Sequence, residues 1–125
     1  MNAFGVQILA DLYDCDPAVL DDEGAIRACM IEAALRGGAS IVSQCFHRFS
    51  PHGVSGVVII AESHLAIHTW PEHGYAAIDL FTCGETLQSE ACFSYLQDAF
   101  RSRHHTTKVI LRGDRLRADA KETAR

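Results

Sequence analysis

The chain has 125 residues, enough for one domain with a modest core. Hydrophobic residues make up 48% and charged residues 22%, and 16 acidic groups against 11 basic ones give a net charge of -5, the wrong sign for a nucleic-acid binder. No apolar run is long enough to cross a bilayer, and "MNAFGVQILADLYDCD" lacks the basic start of a signal peptide, so a cytoplasmic protein with no membrane partner is expected.

"FGVQILADLY" (4–13) reads as a first strand, ended by Asp14-Cys15-Asp16-Pro17. From about Asp22 to Leu35, Ile26, Cys29, Met30, Ala33 and Ala34 fall on one face of a helix that Gly37-Gly38 stops. "ASIVSQCFHRF" (39–49) returns to strand character, and "SPHG" (50–53) is a turn. "VSGVVIIAE" (54–62) and "SHLAIHTW" (63–70) are two further strands, followed by the turn "PEHG" (71–74) and the strand "YAAIDLFTC" (75–83). A second helix runs from about Leu87 to Ser102, and "HTTKVILRG" (105–113) is the last strand. The stretch 112–125 is strongly charged and reads as a frayed end, with "RGD" (112–114) as a turn.

The order β-α-β-β-β-β-α-β implies an α+β fold: a two-layer α/β sandwich with a largely antiparallel sheet and two helices on one face. "VVII" (57–60) offers apolar side chains to both faces of that sheet, so a homodimer joined sheet to sheet is expected. Five cysteines without a C-x-x-C pair (Cys15, Cys29, Cys45, Cys83, Cys92) argue against a disulfide framework or a zinc knuckle. Four of them are expected to be buried small hydrophobes, with one in a special setting.

The stretch "AESHLAIHTWPEH" (61–73) is unusual for a strand, because Glu62-Ser63 is followed by three histidines. His64 and His68 lie about 13 Å apart on an extended chain, too far for one zinc ion, and no metal site is expected. Ser63, His68 and Asp79 have the residue types of a hydrolase triad, but the G-x-S-x-G elbow is missing. Taken alone, the stretch is better accounted for by polar residues on a half-exposed strand than by either of these sites.

The longer run "FHRFSPHGVSGVVIIAESHLAIHTWPEHGYAAIDLFTCG" (46–84) closely resembles the prokaryotic S-adenosylmethionine decarboxylase proenzyme family. "LYDCD" (12–16) and the element order fit the same family. The resemblance implies one domain over residues 1–125 that cuts itself between Glu62 and Ser63 into a β chain, 1–62, and an α chain, 63–125. It implies a covalent pyruvoyl group made from Ser63, which forms a Schiff base with the substrate amine. By the same resemblance His68 is the base for processing and Ser55 the hydroxyl that steadies its intermediate; since Ser63 and His68 do not share a face of a perfect strand, a turn or bulge between them is implied. Cys83 is the proton donor of the decarboxylation, while Phe49 stacks on adenine and Glu72 accepts from ribose hydroxyls.

The implied product is decarboxylated S-adenosylmethionine, the aminopropyl donor of spermidine synthesis, made by a homo-oligomer of processed chains. One departure is Gly5-Val6-Gln7, where the family commonly has G-x-H. Glutamine cannot take a positive charge, so the same chemistry on ornithine or arginine stays as an alternative, and a non-catalytic regulatory paralogue as another. The presence of Ser55, Ser63, His68 and Cys83 together speaks against the paralogue.

Overall fold

The computed structural model describes residues 3–83 and 87–115. Its elements are β1 (Gly5–Tyr13), α1 (Pro17–Leu20), α2 (Glu23–Arg36), β2 (Ile41–Arg48), β3 (Val54–Ile60), β4 (Ser63–Trp70), a 3₁₀ turn (Pro71–His73), β5 (Tyr75–Thr82), α3 (Ser89–Ala99) and β6 (His104–Arg112). The six strands form one sheet in the order β2-β3-β4-β5-β1-β6, antiparallel at every pairing. This is the α+β sandwich expected from the element order.

Helix α1 is an addition to the expected elements, because four residues are too few for a periodic signal. Its start is nonetheless written in the chain. Asp16 caps it by accepting from the Ala18 N–H, and Pro17 stands where a missing N–H costs nothing. Asp22 caps α2 in the same way, Glu23 and Arg36 sit at the ends that suit their charges, and Gly38 at φ +85° turns the chain away. Ile26, Met30, Ala33 and Ala34 form the buried stripe of α2, and Cys92, Phe93 and Leu96 that of α3.

Alternation along the strands separates the two sheet faces. Val58, Ile60, Leu65, Ile67, Ile78, Leu80 and Leu12 point under the helices and are buried, each contributing about 1.5–3 kcal/mol. Gly56 is required there: a Cβ would meet the Phe46 ring of β2 at 2.0 Å. The alternate residues Ile59, Trp70, Tyr13 and Ile110 lie on the other face and stay exposed. The "VVII" run is therefore apolar toward both sides, as expected, but among the described residues only one side is covered.

Cys15 and Cys92 are buried and Cys29 half-buried, and burial pushes all three thiols above their ordinary range. Cys45 and Cys83 are both exposed, so two cysteines, not one, stand outside the core. Arg112 is still paired with Gly5 in β6, so the end does not fray from there as expected, and Gly113 at φ +70° bends the chain within "RGD". The charged stretch from 116 onward lies outside the described residues. Among the described residues, no helix is long and apolar enough to cross a membrane.

Candidate active site

The expected site residues fall into two groups. The first lies where β3 begins and β4 ends. Ser55 and His68 face each other across these strands, with Ser55 Oγ 2.7 Å from His68 Nδ1. Phe49, His52, Trp70 and Glu72 complete an open cleft of about 460 Å³ around them. Phe49 stands half-exposed, its ring edge-on to His47 at 4.7 Å.

The cleft is held from below and from the side. The buried Thr69 hydroxyl donates to the Leu20 carbonyl and accepts from the Val54 N–H, both at 2.8 Å, tying β3, β4 and α1 together. Asp21 at the end of α1 accepts from Arg48 at 2.8 Å and from the Gly53 N–H at 2.9 Å, which clasps the turn carrying Phe49 and His52. These two hydrogen bonds hold the Asp21 carboxyl below its ordinary range. Glu72 is also shifted down, first by a hydrogen bond from its own backbone and then by His52, whose Nε2 is 2.7 Å from Glu72 Oε2. Sequence reasoning gives His52 no role, since a lone histidine in a turn carries no signal that it meets a carboxylate twenty residues away.

The second group lies at the opposite end of β4. Ala61 and Glu62 form a two-residue turn between Ile60 and Ser63, which are register partners. Glu62 has φ +63°, a left-handed conformation that costs a residue with a Cβ about 1–2 kcal/mol. The turn is pinned because the Ala61 N–H donates to the Ser40 carbonyl at 3.0 Å. Ser63 points to the helix side and its Oγ donates to Thr82 Oγ1 at 3.0 Å, beside a small cavity of about 130 Å³. Cys83 follows Thr82 directly and is exposed. Gln7 lies nearby on β1 with its Oε1 accepting from Arg112 Nη1 at 2.7 Å, so an arginine engages the position where the family commonly has histidine.

A turn or bulge in β4 is the expected means of bringing His68 round to Ser63. The structure contradicts this: β4 pairs with β3 and β5 without a register shift from Ser63 through His68. Five residues on an unbroken strand put the two side chains on opposite faces and about 17 Å apart along it. Within one chain, Ser55, His68, Phe49 and Glu72 converge; Ser63 and Cys83 are placed elsewhere. Among the described residues no three His, Cys, Asp or Glu side chains converge as metal ligands.

A family model described as S-adenosylmethionine decarboxylase matches residues 6–113. The chain belongs to this family. It is 52% identical over 113 residues to an S-adenosylmethionine decarboxylase proenzyme of Acetivibrio thermocellus, covering 90% of this chain and 91% of that one. A protein of the same name from Acidithiobacillus ferrooxidans is 53% identical, covering 90% of this chain and 85% of that one. The crystal structure of adenosylmethionine decarboxylase from Aquifex aeolicus superposes with a TM-score of 0.82 at 35% identity, over 89% of this chain and 92% of that one. A Trypanosoma brucei AdoMetDC-delta26 monomer, at TM-score 0.63 and 16% identity, shares the fold over 83% of this chain and 45% of its own length. The relatives' name marks them as proenzymes, which gives the Glu62–Ser63 turn its interest.

Proposed function

We infer that this member of the S-adenosylmethionine decarboxylase family cuts itself at Glu62–Ser63, converts Ser63 to a pyruvoyl group, and decarboxylates S-adenosylmethionine. The observation that carries the reading is the turn itself: a serine hydroxyl directly follows a left-handed glutamate whose conformation is pinned. Strain of this kind persists where the surroundings over-determine it and collects at functional positions. The chemistry fits the residues present, since a hydroxyl nucleophile next to its target carbonyl is what an acyl shift needs.

Ser63 Oγ attacks the Glu62 carbonyl carbon; the C–N bond breaks, an ester forms, and the hydroxyl proton passes to the freed nitrogen. Loss of the Ser63 α-proton then breaks the Cβ–O bond, and the Glu62 carboxylate leaves dehydroalanine behind. Water enters and ammonia departs, giving the pyruvoyl end. His68 is the base in this reading, and Ser55 hydrogen-bonds the tetrahedral oxyanion. The pyruvoyl group, once formed, supplies the carbonyl that takes the substrate amine and the sink for electrons freed with carbon dioxide. Cys83 delivers a proton to the substrate α-carbon. Phe49 offers its face to adenine, Glu72 its carboxylate to the ribose hydroxyls, and the aromatic cleft suits a sulfonium cation.

The separation of Ser63 from His68 supports a second copy of the chain as the missing partner. The uncovered sheet face exposes Ile59, Trp70, Tyr13 and Ile110, and two such faces packed together bury them. In that homodimer the Ser55–His68 pair of one copy serves the Glu62–Ser63 turn of the other.

The substrate is tested by carbon dioxide release from S-adenosylmethionine, ornithine and arginine, assayed in parallel at equal concentrations. S-adenosylmethionine is expected to lead by a wide margin, with Phe49→Ala losing most of that activity. The two amino acids have neither adenine nor ribose to occupy the cleft, and the relatives' names support neither. A clear preference for ornithine or arginine would overturn the substrate while leaving the self-cleavage standing.

Cys83→Ala is expected to cleave its own chain and yet decarboxylate about a hundredfold more slowly, or worse, because its proton is needed only after the pyruvoyl group exists. Turnover at the parent rate would mean that another residue or water protonates the α-carbon.

A further inference from the structure

We propose that Thr82 is the positioning residue that aims the Ser63 hydroxyl at the Glu62 carbonyl, an inference that rests on the self-cleavage reading above. Ser63 and Thr82 are direct register partners on β4 and β5, and both point to the helix side of the sheet. Thr82 is 7% exposed, and its Oγ1 accepts the Ser63 hydroxyl proton at 3.0 Å.

A serine at the first position of a strand has three staggered rotamers open to it. The contact with a buried, sterically stiff threonine selects one of them. It also commits the only proton of the nucleophile to one direction, leaving the oxygen lone pairs free for the carbonyl carbon. Threonine is far too weak a base to keep that proton, so its part is direction and not proton removal.

The backbone beside it is fixed by separate means. Ser40 holds Ala61 through its carbonyl, and Ala61, Ser63, Thr82 and Leu87 border the same small cavity. Turn and nucleophile are thus fixed independently, the turn from the segment leading into β2 and the hydroxyl from β5. The cleft that holds Phe49, His68 and Glu72 does not include Thr82. Its action on the Ser63 hydroxyl therefore falls on the making of the active chain, before that hydroxyl is consumed.

The test follows the cleavage of freshly made chains of the parent, Thr82→Val and Thr82→Ser by gel electrophoresis. Valine keeps the shape and removes the hydroxyl; serine keeps the hydroxyl. Thr82→Val is expected to slow cleavage about tenfold, the rate equivalent of one lost hydrogen bond, and Thr82→Ser to stay within about twofold of the parent. Alkaline hydroxylamine, which cleaves esters, is expected to leave the slow Thr82→Val chain whole, because the block falls before the acyl shift.

Cleavage of Thr82→Val at the parent rate would overturn the proposal. Equal slowing by both variants would do so too, since it would assign the effect to packing. Hydroxylamine cleavage of the Thr82→Val chain would place the defect after the acyl shift, and the proposed aiming role would fall with it. A parent chain that never cuts itself would instead remove the self-cleavage reading, and Thr82 with it.

Discussion

Ser63→Ala is expected to remain a single chain under conditions that split the parent completely into fragments ending at Glu62 and starting at residue 63. Alanine has the same backbone and no hydroxyl, so the turn keeps its shape and loses the nucleophile that adjoins the Glu62 carbonyl. Intact mass spectrometry of the parent separates the proposed chemistry from proteolysis. Pyruvoyl formation gives two fragments whose masses sum to the precursor plus water minus ammonia, whereas a protease adds a whole water. Cutting of Ser63→Ala at the same bond would point to a contaminating protease. An uncut parent after long incubation would favour a non-catalytic relative.

Co-expression of Ser63→Ala with His68→Ala is expected to restore cleavage that neither variant carries out alone. In the proposed dimer, a mixed pair contains one site in which an intact Ser63 on the His68→Ala chain meets the partner's His68. Random pairing then limits cutting to about a quarter of all chains, every one of them the His68→Ala species. The effect is all-or-none, because each variant alone lacks one half of the chemistry in both of its sites. Mass spectrometry identifies which chain is cut. If no fragment forms, Ser63 and His68 must act within one chain, and β4 must then depart from its unbroken pairing.

Much of this arrangement is legible in the sequence, and the limits have physical causes. The strand 63–70 is bounded correctly at both ends, since Trp70-Pro71 and Glu62-Ser63 are turn signals on either side of an alternating run. Period-two alternation also puts Ser63 and His68 on opposite faces. The bulge expected between them is absent, because β4 keeps its register with both neighbouring strands from Ser63 through His68, and local sequence carries no information about a second copy. The run 46–84 points to Ser55, Phe49 and Glu72 through a resemblance, while three of the structural neighbours that hold them in place stay invisible. Thr69, Asp21 and Arg48 act through contacts that span between 15 and 49 residues of chain. Thr82 and His52 escape notice for the same reason: an isolated hydroxyl or imidazole gains meaning only from its register partner or the turn it faces.

The strand order has a consequence for what the protein would become under the proposed cut at Glu62–Ser63. Residues 1–62 carry β1, β2 and β3, and residues 63–115 carry β4, β5 and β6, yet β1 lies between β5 and β6. The two products are interleaved, joined along three strand boundaries: β3 with β4, β5 with β1, and β1 with β6. Neither could diffuse away without dismantling the sheet, so the native assembly would outlive the loss of its covalent link. Unfolding is another matter, because separated products must find each other again, and a first-order folding reaction becomes a second-order one that depends on concentration. On the proposed cleavage, maturation in this topology would be a ratchet: the fold is assembled once, as a single chain, and afterwards kept.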